Sequence, residues 1–175
     1  CVGLPALLLI GGVLSTDSLG IPDGQSWSDW LRGAGLAASA ATASIVSLRL
    51  SARSLGAAPP SAGWTAARDT LYLETLWAFL RAAPSLWLDD PFWGVLAGAA
   101  LGLAFFAALG RFSPPRTPAV IGQLGVDLAC LLASSLIFFS TRNLPLCMAA
   151  HAAIRLAAGW RPRPSEAPQN RGADL

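Results

Sequence analysis

The chain has 175 residues, of which 54% are hydrophobic and 13% are charged, and its formal net charge is +2. Soluble domains carry about 25% charged residues, so this chain lacks the polar surface that a water-soluble domain needs. The small net charge also excludes the concentrated basic surface of a nucleic-acid-binding protein. We therefore expect a lipid bilayer, and no nucleic acid, around the chain.

Six apolar stretches separated by short polar breaks predict an all-α, polytopic integral membrane bundle of about six spans, with four or five as alternatives. Residues 1–160 would form one transmembrane helical domain. The proline-rich, polar residues 161–175 cannot bury apolar surface and are expected to be a disordered tail. The predicted spans lie near residues 1–14, 30–50, 70–88, 92–110, 119–139 and 144–160.

The first two stretches are the weakest span candidates. Residues 1–14 are fewer than the roughly 20 that cross a bilayer. Residues 30–50 consist mainly of alanine, serine and glycine, which suits a helix enclosed by other helices. The chain begins with Cys1 rather than Met, which is typical of an imported or cleaved protein. We therefore favour an organellar membrane, mitochondrial or plastid, with a bacterial inner membrane or another cellular membrane as the alternative.

The third and fourth stretches differ in polarity. Residues 70–88 contain Glu74 and Arg81, whereas residues 92–110 contain no charged residue. The fourth stretch carries a doubled GxxxG pattern at Gly94, Gly98 and Gly102. Spacing of four places these glycines on one helix face, where a second helix can approach closely. The pattern predicts tight helix packing, within the chain or with a partner.

The last two stretches bring further ionisable residues into the bilayer. Asp127 lies in the fifth stretch, and His151 and Arg155 lie in the sixth. At 1.5 Å per residue, Asp127 and His151 are both about 13 Å from the arginine-rich ends of their helices. Because the break between these helices is short, we expect them to be antiparallel neighbours with these two side chains at equal depth. Glu74 and Arg155 also match in depth, and Arg81 is a candidate partner of Asp127.

Charged residues alternate between successive breaks. Arginines concentrate around residues 49–68, 111–118 and 161–171, and aspartates concentrate in the other breaks, with Arg32 and Arg142 as exceptions. Loops rich in arginine stay on the cytoplasmic side or its organellar equivalent, so this alternation favours six crossings. Most tryptophans lie near predicted span ends, where the membrane interface favours them. Trp77 is the exception because it lies well inside the third stretch.

The sequence favours a structural function over a chemical one. Short breaks, packing glycines and balanced buried charges predict an accessory subunit of a larger membrane complex, with other membrane subunits as partners. The alternative is a small proton or solute transporter or channel subunit that uses Asp127 and His151. A lipid-directed enzyme ranks last, because no catalytic motif and no metal-ligand spacing is present. We expect no dedicated cofactor, although bound lipid is expected and contact with a pigment or quinone stays open.

Overall fold

The structure is a computed structural model that describes residues 16, 19–22, 24–55, 63–112 and 118–159. Within these ranges the chain forms helices and turns and no strand, which confirms the all-α prediction. The predicted span at residues 1–14 and the predicted tail at residues 161–175 lie outside them. The described helices are α1 (Trp27–Leu55), α2 (Gly63–Leu88), α3 (Pro91–Phe112), α4 (Pro118–Thr141) and α5 (Leu144–Gly159).

Side-chain caps fix where these helices begin. The Asp90 carboxylate accepts a hydrogen bond of 2.7 Å from the Phe92 amide at the start of α3. Asn143 does the same for α5, since its Oδ1 accepts a 3.1 Å bond from the Leu146 amide. Such caps satisfy the backbone donors that the first helical turn leaves without partners. Both helices therefore start immediately after short turns.

Those short turns reverse the chain at one end of the bundle. Asp89 follows α2 with φ of 51°, and Arg142 follows α4 with φ of 46°. A left-handed residue directly after a helix terminates it and redirects the chain. Consequently α2 and α3 form one antiparallel pair, and α4 and α5 form another.

The α4–α5 pair is the centre of the bundle. Helix α1 packs on α4 and α5, while α2 packs on α5 and α3 packs on α4. Helices α2 and α3 share the closest interface, and glycines of α3 make it. A Cβ added to Gly98 would lie 2.9 Å from the Arg81 Cα, and one added to Gly94 would lie 2.7 Å from the Ser85 Cα. One added to Gly102 would lie 3.0 Å from a Leu131 methyl carbon on α4.

Polar and apolar side chains are distributed in the reverse of a soluble protein. Glu74, Arg81 and His151 are at most 1% exposed. Large apolar side chains on every helix are about half exposed or more, including Leu50, Leu71, Leu101, Leu132 and Leu156. Burying charge while exposing leucine is favourable only where the surroundings are hydrocarbon. The bundle is therefore built for a membrane.

Three of the described helices are long and apolar enough to cross a bilayer, with spans at Trp27–Ala52, Pro91–Ala108 and Pro118–Thr141. Helix α5 is apolar but has 16 residues. Helix α2 has 26 residues, a sufficient length, but it carries four charged side chains, Arg68, Asp69, Glu74 and Arg81. The larger count of about six spans remains a prediction.

Candidate functional site

The ionisable residues predicted to lie in the membrane come from three helices. Glu74 and Arg81 are two turns apart on α2, so both lie on the face that meets α5. His151 and Arg155 are four residues apart on α5 and therefore share one face. Asp127 lies on α4, which is antiparallel to α5. The packing of α5 against both α2 and α4 brings these five side chains into one buried network.

Glu74 is the fully buried acid of this network. Its Oε1 lies 2.8 Å from the Nδ1 of His151 and accepts a 2.6 Å hydrogen bond from the Ser134 hydroxyl. Its other oxygen, Oε2, lies 3.5 Å from the Nη2 of Arg81. A carboxylate held by three partners on three helices ties α2, α4 and α5 together.

The partners of His151 determine its tautomer. The Nε of Arg155 lies 2.9 Å from the Nε2 of His151. A guanidinium nitrogen can only donate, so Nε2 must be the acceptor and Nδ1 must carry the proton. That proton is donated to Glu74. The imidazole is thus neutral in this arrangement and bridges a carboxylate to a guanidinium.

Arg155 continues the network towards the surface. Its Nη2 donates to Asp127 Oδ1, which also accepts a 3.0 Å hydrogen bond from the Gln123 amide. Its Nη1 lies 3.7 Å from Asp69 Oδ2, and the Asp69 side chain is 36% exposed. Asp69 therefore connects the buried network to the surface at the end of the bundle where α2 and α4 begin.

Arg81 is the other end of the network and is less completely satisfied. Its side chain is 2% exposed, and its guanidinium nitrogens lack a hydrogen-bond partner among the described residues. The guanidinium carbon lies 4.4 Å from the centroid of the Phe138 ring, which is a cation–π contact. Glu74 and Phe138 together supply the compensation for burying this charge.

Trp77 forms the wall of the site. Its ring stacks on His151 with centroids 5.1 Å apart and an interplanar angle of 18°. It also contacts Phe106 of α3 edge to face, with centroids 6.2 Å apart. The side chain is 1% exposed, so this tryptophan is a core residue rather than an interfacial one. That placement explains why Trp77 alone departs from the tryptophan pattern at the span ends.

The network differs in its pairing from the depth-based expectation. Asp127 and His151 lie on neighbouring antiparallel helices, but Arg155 bridges them. Arg81 pairs with Glu74 rather than with the expected Asp127. Glu74 is two turns from Arg81 on the same helix, and this spacing already places them on one face. Whether Arg81 also reaches Asp127 depends on the rotation of α2 about its axis, about which depth along a helix carries no information. Sequence reasoning missed Ser134 as a partner of Glu74, since a serine in an apolar helix gives no distinguishing signal.

The packing glycines lie inside the chain's own helix contacts. Gly94 and Gly98 face α2, and Gly102 faces α4. The described residues contain no group of three or more His, Cys, Asp or Glu side chains arranged for a metal ion. Cys130 and Cys147 are buried, and their thiols face the carbonyl oxygens of His151 and Ser134. These contacts assign packing roles to both cysteines.

Charge balance defines what the site can do chemically. Glu74 and Asp127 supply two negative charges, Arg81 and Arg155 supply two positive charges, and His151 is neutral in this arrangement. Because the charges balance, no buried charge in this cluster is left without a counter-ion, and displacing one partner would leave such a charge. A comparison of the chain with protein-family models, curated proteins and solved structures finds no match in any of the three.

Proposed function

We propose that this chain is an accessory, structural subunit of a larger membrane protein complex, with about six spans, and that it acts through helix–helix packing. The observation that carries the proposal concerns α1. Within the described residues, this helix is the least apolar of the three candidate spans and also the least buried.

The hydropathy and the burial of α1 are the opposite of what is expected for a helix that faces lipid. Its span has a mean hydropathy of 1.2, against 1.7 for α3 and 1.8 for α4. Only 17% of the α1 span is buried, against 28% for α3 and 33% for α4. A span exposed to lipid on most sides should be the most apolar of the set. We infer that another membrane subunit covers α1.

The outer face of α1 has the shape that such a partner requires. Gly35, Ser39, Ala43 and Ser47 recur at every fourth position, and all four are exposed. A Cβ added to Gly35 would meet nothing within 4 Å. Small side chains at this spacing let a second helix approach closely, and dispersion contacts then drive association in lipid. A transmembrane helix of another subunit is the partner that fits.

The buried network supports a structural role for the helices behind α1, namely α2, α4 and α5. The carboxylates of Glu74 and Asp127 both have charged partners within the chain. The Nδ1 proton of His151 is donated to Glu74, and its Nε2 accepts a hydrogen bond from Arg155. Such mutual pairing fixes the relative positions of α2, α4 and α5, so that α1 is presented on a defined scaffold.

A matched pair of alanine substitutions tests the proposal. Ala43 lies on the exposed small-residue face of α1, and Ala104 lies on the exposed face of α3. Ala43→Phe should remove the chain from its native complex, because the larger side chain blocks close helix approach. Ala104→Phe faces lipid and should leave the complex intact. The measurement is the size of the complex on native gels after extraction of native membranes in mild detergent.

Three results would contradict the proposal. One is a complex that survives Ala43→Phe. Another is equal loss with both variants, which would indicate a general folding defect. A third is a complex that contains only copies of this chain, which would replace the partner subunit by self-association.

The second candidate function is a proton or solute pathway through Asp127 and His151. The favouring observation is that the network is continuous from half-exposed Asp69 to buried Arg81. Chains of ionisable residues inside membranes often carry protons. Full chain reconstituted in vesicles should then move protons or solute, and Asp127→Asn should stop the flux. Equal flux in vesicles with and without the protein would remove this candidate.

A further inference from the structure

The two tight turns of the bundle enclose a cleft that the buried network does not use. Asp89 and Asp90 lie on the α2–α3 turn, and Arg142 lies on the α4–α5 turn. The cleft between them has a volume of about 540 Å³. This falls within the roughly 300–1,000 Å³ that is usual for ligand sites. Its walls include Phe92, Phe138 and Phe139.

The cleft presents charges of both signs. Arg142 and Asp89 have left-handed backbone conformations in two-residue turns, and neither side chain has an ion-pair partner within 4.0 Å in the described ranges. Asp90 uses its Oδ1 to cap α3, which leaves its second oxygen for other contacts. One cation against two anions suits a ligand that carries an ammonium group as well as a phosphate.

The apolar wall of the cleft continues onto the outer surface of the bundle. The rings of Phe92 and Phe139 contact each other edge to face, with centroids 5.5 Å apart. Phe92 is 44% exposed and Phe139 is 50% exposed. The charged mouth is thus directly continuous with an apolar surface between α3 and α4. A ligand with a polar head and a hydrocarbon chain fits a charged mouth that continues into an apolar surface.

Tryptophans give an independent indication of where the cleft lies along the membrane normal. Trp27, Trp87 and Trp93 lie at this end of the bundle and are 77%, 88% and 57% exposed. Exposed tryptophans on membrane proteins concentrate at the level of the lipid headgroups. The cleft is therefore at the depth where a phospholipid presents its phosphate and amine.

We propose that this cleft binds the headgroup of a phospholipid with a primary amine, such as phosphatidylethanolamine. The Arg142 guanidinium holds the phosphate in a charge-assisted contact. Asp89 and Asp90 accept hydrogen bonds from the ammonium, and the acyl chains follow Phe92 and Phe139. A choline group has no N–H to donate and an anionic headgroup meets two carboxylates, so both bind less well. The site depends on the membrane placement of the chain and not on the proposed subunit role.

Lipid competition on the purified full chain tests this site. The chain in detergent is mixed with equal amounts of phosphatidylethanolamine, phosphatidylcholine and phosphatidylglycerol of identical acyl chains. Native mass spectrometry then measures the lipids retained. Arg142→Asn and Asp89→Asn are the test variants, because asparagine tolerates the left-handed conformation of both turns. Arg32→Asn is the matched control, since Arg32 lies at the same end but lines a different cavity with Asp29.

The expected result is preferential retention of phosphatidylethanolamine by the natural chain. Each test variant should reduce that retention roughly tenfold, the effect of losing one charge-assisted hydrogen bond, and Arg32→Asn should leave it unchanged. Equal retention of all three lipids would overturn the proposal, as would unaltered retention by Asp89→Asn. If Arg142→Asn fails to fold, Asp89→Asn decides alone.

Soluble probes separate a lipid from a free phosphate compound. Displacement of the lipid by phosphoethanolamine but not by inorganic phosphate would support recognition of both headgroup charges. Equal displacement by inorganic phosphate would overturn the role of the amine. Saturable binding of phosphoethanolamine to lipid-free protein, stronger than that of the lipid, would assign the cleft to a soluble ligand and overturn the lipid proposal.

Discussion

The Arg81 guanidinium lies inside the bundle, over the Phe138 ring and 3.5 Å from Glu74 Oε2. Its charge is tolerated there because the Glu74 carboxylate is equally buried. Removing one partner of a buried ion pair leaves the other charge uncompensated, which costs far more than the pair contributes. The pair therefore affects stability mainly when it is broken.

We expect Glu74→Gln to lower the free energy of unfolding by about 3–5 kcal/mol, because it leaves the Arg81 charge without a counter-ion. The double variant Glu74→Gln with Arg81→Met should regain most of that loss, since methionine has a similar volume and no charge. Thermal unfolding in detergent, followed by circular dichroism, measures both. A double variant as unstable as the sum of the two single variants would show that the charges do not interact.

The depths of these residues could be predicted from the sequence, but most of their partners could not. Counting along each helix placed Asp127 and His151 at one level because rise per residue is constant. The pairing of Arg81 with Glu74 follows from their spacing of two turns on α2, which places both on one face. The stacking of Trp77 on His151 depends on how α2 is rotated, which packing on α5 decides.

Among the helices, α2 and α3 make the closest approach. Gly98 of α3 faces the backbone of α2 at Arg81, which is also a member of the ion network. Close packing and buried charge therefore meet at one position. Any side chain added at Gly98 would press on the α2 backbone at Arg81 and so disturb the helix that holds the Arg81–Glu74 pair.

We expect Gly98→Ala to destabilise the isolated chain by about 1–3 kcal/mol, because its Cβ would lie 2.9 Å from the Arg81 Cα. Gly35→Ala is the matched control on α1, where nothing lies within 4 Å of the new Cβ. It should be neutral or stabilise by about 0.5–1 kcal/mol, since alanine is the better helix former. Unfolding of both variants in detergent gives the comparison, and equal stabilities would contradict the close contact.

Helix ends were less predictable than helix cores. The structure begins α2 at Gly63, ahead of the predicted start at Thr70, and extends α1 from Trp27 to Leu55. Hydropathy marks only the apolar centre of a span. Arg68 and Asp69 are polar but still helical, because Arg68 is exposed and Asp69 contacts Arg155. By contrast α3 and α4 begin at prolines, which restrict φ and favour the first helical position, so their starts follow closely from the sequence.

In the whole molecule, the two short turns lie at the same end of the bundle. The Asp89–Asp90 and Arg142 turns both border the cleft, and Arg155 and Asp69 meet at the opposite end. Arg142 therefore shares an end with aspartates and departs from the alternation of arginine-rich and aspartate-rich breaks. The up-and-down order of the helices provides a direct test of how the chain crosses the bilayer.

Single cysteines should report this sidedness. In a Cys1→Ser background, where Cys130 and Cys147 are buried, cysteines at positions 89 and 142 should react with a membrane-impermeant maleimide from one side. Cysteines at positions 68 and 111 should react from the other side. Labelling of intact and opened vesicles makes the comparison. Reaction of positions 89 and 142 from opposite sides would contradict the arrangement.

The separation of Glu74 and His151 along the chain has a consequence for biogenesis. Their contact spans 77 residues, and ribosomes add roughly 5–20 residues per second, so the acid leaves the ribosome several seconds before its imidazole partner. Until then Glu74 has Arg81 of its own helix as counter-ion but lacks the hydrogen bond from His151, and Asp127 lacks Arg155. Translocon measurements assign about 2.5–3.5 kcal/mol to a charge such as that of Asp127 within a nascent span. We therefore predict that chains ending before Leu144, which contain neither His151 nor Arg155, are degraded faster in cells than the full chain; equal half-lives in a pulse–chase measurement would contradict this.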